Sequence, residues 1–258
     1  MLTLLSLNLW GGKTYEPLLA FIKEHASTTD IFCFQEVFSS PVSRVLPSGC
    51  RSDLYEILTA TLPHFQGSYS SEQDGFDLHE PVTDIALSVG QAIFVKKPIA
   101  VDAYGVFPLY REPNGIVNGD VRTMPKIADY VRITNENSHY TIVNVQGLWY
   151  PWDKLDTEER IAQSAKILDF LSHEEGKKIV CGDFNVRPET RTIAIVEEKM
   201  KNLIKAQGIM NTRGSLYPYQ ATDPMADYMF VSSDIEVAAF SVLDVAVSDH
   251  LPLILEFS

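Results

Sequence analysis

Four strand-like runs follow one another between residues 92 and 146 without a helical pattern between them: AIFVKK, AVDAYGVF, IADYVRIT and YTIVNV. Turn signals separate them, including Lys97-Pro98 and the 135–138 stretch, so they predict an antiparallel series. A doubly wound single sheet alternates each strand with a helix. This succession therefore favours an α/β fold of two packed β-sheets, face to face, with helices outside.

The rest of the chain supplies the helices. LTLLSLN (2–8) reads as a strand, and 15–25 places Leu18, Leu19, Ile22 and Ala26 at helical spacing. IFCFQE (31–36) is a second strand. Ser52 predicts the cap of a helix over 52–61, with Leu54, Ile57, Leu58 and Leu62 on one face. Residues 72–88, polar and irregular, read as a surface loop. Asp156 with Glu159 three residues on resembles a capping box, opening a helix to about Ser172 with Ile161, Ala165, Leu168 and Leu171 inward. KKIVCGDFN is a strand ending in a turn, 192–205 a helix, and ADYMFVS, EVAAFSVL and LPLILEF are closing strands.

A chain of 258 residues with no linker, repeat or charge block is expected to form one domain over 1–258. Acidic residues outnumber basic ones 34 to 21, a net charge of −13. That argues against tracking a long nucleic-acid backbone, where affinity comes from Lys and Arg replacing counterions. MLTLLSLNLW lacks a basic start and runs into polar Asn8, so it reads as a strand and not as a signal peptide. No run approaches the ~20 apolar residues that span a bilayer. Cys33, Cys50 and Cys181 are odd in number and two lie in apolar runs, which suits buried thiols of a reducing cytoplasm. A cytoplasmic monomer is the expectation.

Five strand ends place a polar group directly after or within an apolar run: Asn8, Glu36, Asp183 with Asn185, Asp227, and Asp249-His250. Each has a bland reading, since Asn closes strands, Glu can mark an edge strand, and Gly182-Asp183-Phe184-Asn185 suits a turn. Together they are harder to dismiss. Several acids at one sheet edge repel unless a cation lies among them. No His/Cys cluster has zinc spacing, so a hard divalent ion is indicated. Mg²⁺ typically takes one or two carboxylates, waters and a phosphate oxygen, which points to phosphoryl chemistry.

SLNLW, FCFQEV, VNVQGLW, CGDFNVRP, ADYMFVS and VSDHLPLILEF, in this order, resemble the endonuclease/exonuclease/phosphatase superfamily of Mg²⁺-dependent phosphoesterases. That superfamily includes pancreatic-type deoxyribonucleases, abasic-site endonucleases, neutral sphingomyelinases and inositol-polyphosphate phosphatases. The resemblance implies a four-layer α/β sandwich, mixed in its sheets, and Mg²⁺ as cofactor, with Mn²⁺ as a substitute. It implies Glu36 as the principal metal ligand, with Asn8 and Asp249 beside the ion. Asp183 would orient or deprotonate the attacking water, Asn185 would hydrogen-bond the phosphate, and His250 would face phosphorus, held by Asp227. Which group is the general base is left open.

Gln146 stands where many members carry His and abasic-site endonucleases Tyr. Gln donates a hydrogen bond but carries no proton, and acid–base assistance is worth typically ~10²–10⁴-fold. Three readings stand: a structural position, a leaving group that needs no proton, or a replacement of His made to trap substrate. Arg122 and Arg187 are candidate phosphate binders or solvated charges. Trp149, Tyr150 and Trp152 wall a cleft or pack, and His64, His79, His139 and His173 read as surface or loop residues. The inositol-phosphatase signatures are absent, and long-duplex binding suits −13 poorly. The expected substrate is a small phosphodiester, such as a nucleotide or oligonucleotide end. A phosphomonoester and a non-catalytic phosphate-binding protein are the alternatives.

Overall fold

Successive residues of the first strand enter different cores. In Leu2–Asn8 (β1), Leu5 and Leu7 pack with Leu18, Phe21 and Ile22 of the helix Tyr15–His25 (α1), while Leu2 and Leu4 face the other way. A strand's side-chain period of two requires this when both faces are covered. The next strand, Ile31–Ser39 (β2), repeats it, with Phe32 and Phe34 toward the helices and Ile31 and Cys33 away from them. The computed structural model describes residues 1–77, 80–82, 84–150, 153–220 and 222–258.

The remaining elements are α2 (Leu54–Thr61), β3 (Phe65–Asp74), β4 (Phe76–Asp77), β5 (Glu80–Pro81), β6 (Ser88–Lys96), β7 (Ala100–Tyr110), β8 (Lys126–Asn135), β9 (Ser138–Gln146) and α3 (Glu158–Ser172), followed by β10 (Lys177–Asp183), α4 (Arg191–Glu197), β11 (Lys201–Asn202), α5 (Leu203–Ala206), β12 (Asp227–Val231), β13 (Val237–Val242) and β14 (Leu253–Phe257). One sheet runs β13-β14-β1-β2-β6-β3 and the other β11-β12-β10-β9-β8-β7. Each is mixed, with one parallel pair near its centre, β1 with β2 and β9 with β10. The sheets stack face to face: Tyr140 of β9 meets Phe257 of β14 edge-on, and Gln35 of β2 donates to Asn144 of β9. With α1 and α2 outside one sheet and α3 and α4 outside the other, the architecture is a four-layer α/β sandwich. Because β1 pairs with both β2 and β14, the two ends of the chain share a sheet.

Several local expectations need correction. The four runs from 92 to 146 are not one antiparallel series, because β6 pairs with β2 and β3 while β7, β8 and β9 belong to the other sheet. Residues 72–74 end β3, an edge strand whose polar, half-exposed face hides its period; Phe76–Asp77 and Glu80–Pro81 form a small ribbon. His79 and Trp152 lie outside the described residues. Ser52 does not cap α2; its hydroxyl bonds the backbone of Val42 and Arg44. Thr157, not Asp156, caps α3, and Asp156 accepts from the backbone of Arg191 and Thr192 at the start of α4. The 192–205 helix breaks into α4 and α5, because Lys201–Asn202 pairs with β12 and Asn202 starts a new cap.

The buried face of α3 is also out of phase with its leucines. Arg160, Gln163, Ser164, Ile167 and Leu171 are inside, Ala165 is exposed, and Ile161 and Leu168 are only half-buried. Polar groups win here because they have backbone partners. Arg160 donates to the carbonyls of Leu148, Asp153 and Leu155, Gln163 accepts from Leu148 N, and Ser164 donates to Thr192 O. The helix thus holds the chain that leaves β9.

Candidate active site

Period two carries the inter-sheet face of β9 from Asn144 to Gln146, and register pairs Gln146 with Asp183 at the end of β10. Asn8 ends the facing strand of the other sheet. The three meet: Asn8 Nδ2 donates to Asp183 Oδ2 at 3.1 Å and Gln146 Nε2 to the same oxygen at 3.3 Å. Asn185, in the left-handed region at φ 55°, turns back so that its Nδ2 donates to Asp183 Oδ2 at 3.0 Å and its backbone N to Oδ1 at 2.8 Å. Its conformation suits Asn, which tolerates positive φ. Close approach of the two strands needs Gly182, whose φ is 126°; a Cβ there would lie 2.2 Å from Val145 O.

Glu36 reaches the site through a bulge. The β2–β6 register shifts between Phe34 and Val37, and Glu36 sits in the shift at φ 54°. Regular alternation would send Glu36 toward the helices; the extra residue re-aims it. Asn8 Nδ2 also donates to Glu36 Oε1 at 3.0 Å. Burial raises the Glu36 carboxyl above its ordinary value, against the Asn8 amide, which favours the carboxylate.

Asp227 begins β12 opposite Asp183, and both its oxygens lie 2.9 Å from His250 Nδ1. Burial pushes Asp227 up to about 7 and His250 down to about 3, and the nearby Arg213 charge opposes the first and adds to the second. Nδ1–H then donates to Asp227, leaving Nε2 as the acceptor. The loop carrying Asp249-His250 is tied to β1 by Ser248 Oγ donating to Asn8 O at 2.7 Å. Nε2 of His250 is 3.8 Å from Asp183 Oδ2 and 3.9 Å from Asp249 Oδ1. Burial raises Asp249 as well, opposed by His250 and Arg213 and reinforced by Glu36.

Glu36, Gln146, Asp183, Asn185, Asp249 and His250 line one cavity of about 300 Å³, with Asp227 behind His250. Cations that the residue pattern did not mark stand here too: Lys13, Lys126 and Arg213 line the cavity, and Lys154 lies outside its lining. Arg213 Nη1 donates to Asp249 Oδ2 at 3.0 Å and meets His250 Nε2; Lys126 pairs with Glu72 at 2.9 Å; Lys154 is buried beside Tyr217. None follows a strand end, so periodicity gives no signal for them. Trp10, Trp149 and Tyr217 form the aromatic wall, so Trp149 is placed at the cleft. Arg122 and Arg187 lie outside this lining, paired with Asp120 and Asp223. His64, His139 and His173 are exposed.

Could these residues hold a divalent cation? Asn8 Oδ1 accepts from Trp10 N at 2.9 Å, so its NH₂ faces the acids and the side chain, oriented by these bonds, offers the cavity no oxygen. Asn8 thus holds two carboxylates in place. Glu36 Oε2 is uncommitted among the described residues, and Asp249 Oδ1 has a single 3.5 Å hydrogen bond, from Ser248, besides the 3.9 Å approach of His250 Nε2. Two mutually repelling carboxylates with free oxygens on one cavity fit a hard cation. Asp183, Asp227 and His250 also bring ligand atoms within 4.8 Å of one another, though the double contact of His250 with Asp227 already uses that imidazole nitrogen.

A four-layer sandwich whose paired sheet ends converge acids, amides and an Asp–His pair on one cavity defines the class of α/β sandwiches with a site between the sheet ends. The chain belongs to the endonuclease/exonuclease/phosphatase family, whose model matches residues 5–250. No curated protein matches the chain at the level of sequence. Among solved structures it is similar to an endonuclease/exonuclease/phosphatase from Bacteroides vulgatus at 19% identity, covering 100% of this chain and 98% of that one, with a TM-score of 0.73. It is similar to a mannosyl-6-phosphatase of Bacteroides thetaiotaomicron at 18% identity, covering 100% of both chains, TM-score 0.71. It also resembles D. rerio TDP2 complexed with a single-strand DNA product at 13% identity, covering 100% of this chain and 98% of that one, TM-score 0.67. Among the described residues no helix is long and apolar enough to cross a membrane.

Proposed function

We propose that this protein hydrolyses a small phosphodiester, of the size of a nucleotide or oligonucleotide end, with Mg²⁺ or Mn²⁺. The carrying observation is the convergence of Glu36, Asp183, Asn185, Asp249 and His250 on one cavity of about 300 Å³. That volume is at the small end of ligand sites, and the net charge of −13 disfavours a long duplex.

Glu36 and Asp249 would hold the metal, which when bound would supply Lewis-acid stabilisation of phosphoryl charge. Asn8 keeps Glu36 and Asp183 in register. Asp183, fixed by three side-chain amides, orients the attacking water. His250, neutral and anchored by Asp227, accepts at Nε2. Asn185, expected as a phosphate donor, spends both amide hydrogens on Asp183 and Gly147 O, so it and Gln146 set Asp183, and Gln146 transfers no proton. We place the site in a single domain over 1–258, acting as a monomer in the cytoplasm.

The test is an assay of purified protein with Mg²⁺ and with Mn²⁺ on bis- and mono-nitrophenyl phosphate. Faster turnover of the diester, abolished by chelation, supports the reading. Preference for the monoester would make the protein a phosphomonoesterase instead. Phosphate binding without turnover of either would make it a binding protein.

A further inference from the structure

The amide donors around the cavity are directed at its carboxylates. Asn8, Gln146 and Asn185 direct their amide N–H groups at Asp183, and Asn185 shares its own with Gly147 O. Lys126 is committed to Glu72 and His250 Nδ1 to Asp227; half-exposed Lys13, over the Trp10 ring, and buried Lys154, outside the cavity lining, keep their ammonium donors but are not held against the acids by a hydrogen bond. A phosphoryl group presents acceptors only, so it needs a donor that is not spent. Arg213 has one: its Nε is buried and has no partner among the described residues. A charged donor left without a partner is costly unless a ligand takes it.

Its geometry is fixed for that purpose. Arg213 N donates to Pro224 O and to Asn211 Oδ1, Gln220 donates to Arg213 O, and Gly214 N donates to Asp249 O. The guanidinium lies 4.4 Å above the Tyr217 ring, with Nη1 between Asp249 Oδ2 and His250 Nε2. It therefore stands beside the imidazole nitrogen left free by Asp227, in the lining of the cavity. Resting on the reading above, the geometry points to Arg213 as a catalytic residue: its guanidinium binds the non-bridging phosphoryl oxygens and stabilises the charge that grows on them. Tyr217 is its positioning residue.

The experiment compares wild type with Arg213→Ala and Arg213→Lys in Mg²⁺, reading kcat, KM and the shift in Tm caused by inorganic phosphate. Loss of one such preorganised donor costs about 10²–10³ in kcat. Arg213→Ala is expected to lose that much and the phosphate-induced Tm shift, and added guanidinium ion is expected to restore part of kcat. Arg213→Lys keeps charge beside Asp249 but not the planar fork, so it recovers only part of either, and it is the variant read if Arg213→Ala does not fold. Wild-type kcat and phosphate response in a folded variant would overturn the role of Arg213 while leaving the hydrolase reading intact. A wild-type protein that neither hydrolyses esters nor responds to phosphate would overturn both.

Discussion

Gln146 and Asp183 are register partners on neighbouring parallel strands, and the Gln146 amide donates to Asp183 Oδ2 at 3.3 Å. The contact uses an N–H of the Gln146 amide. It leaves Gln146 Oε1 buried without a partner among the described residues. An amide here orients a carboxylate; it gives no proton to a leaving group.

Replacing Gln146→His supplies the missing acid. For alkyl phosphodiesters, whose alkoxide leaves poorly, turnover is expected to rise by about 10²-fold, the lower end of general acid assistance. Nitrophenyl esters should gain little, since their leaving group needs no proton. A series of esters graded by leaving-group acidity checks this. An equal gain across the series, or none, would mean that the position does not limit proton transfer.

Gly182 tests how the site is assembled. Substituting Ala forces a Cβ to within 2.2 Å of Val145 O at a φ of 126°, so urea unfolding should show a loss exceeding about 2 kcal/mol, the range of large backbone and packing effects. Gly208→Ala is the control: its φ is also positive, but nothing lies within 4 Å. Equal losses at the two positions would remove the argument that β9 and β10 must approach closely.

Asp129, buried on β8, has no hydrogen-bond partner on either oxygen among the described residues. Burial raises its carboxyl well above the ordinary value, opposed by the nearby Asn144 amide. The folded protein therefore holds this proton longer than the unfolded chain. Its contribution to stability is fully present below the unfolded value and is lost as pH rises through the folded one. Asp129→Asn should gain in Tm relative to wild type as pH is raised from acid to alkaline. A difference that stays constant with pH would show that Asp129 carries no such proton.

How far the residues themselves reveal this site follows from period and context. Asn8, Gln146 and Asp183 end apolar runs, and period two alone brings them to the inter-sheet face, so this part of the constellation is legible in the residue pattern. Glu36 is legible as a polar interruption, but its placement depends on a bulge, and nothing in FCFQEV distinguishes a bulged strand from a regular one. Arg213 is hidden because MNTRGSLYP has no period; it is brought to His250 by long-range backbone bonds and not by a local pattern. Arg160 misleads for the opposite reason. A charged residue reads as solvent-facing, yet here three carbonyls take it into the interior and rotate the buried face of α3 away from Ala165.

Glu36→Ala is the most direct test of the central claim that these strand ends form one metal-dependent phosphoester site. The measurement is turnover of bis-nitrophenyl phosphate in saturating Mg²⁺, for wild type and variant, with Tm recorded for each. Glu36 is partly exposed and its loss leaves Asn8 still bonded to Asp183, so the variant should remain folded. The account predicts Mg²⁺-dependent turnover in the wild type and its disappearance in the variant. Undiminished Mg²⁺-dependent turnover in a folded Glu36→Ala protein would contradict it.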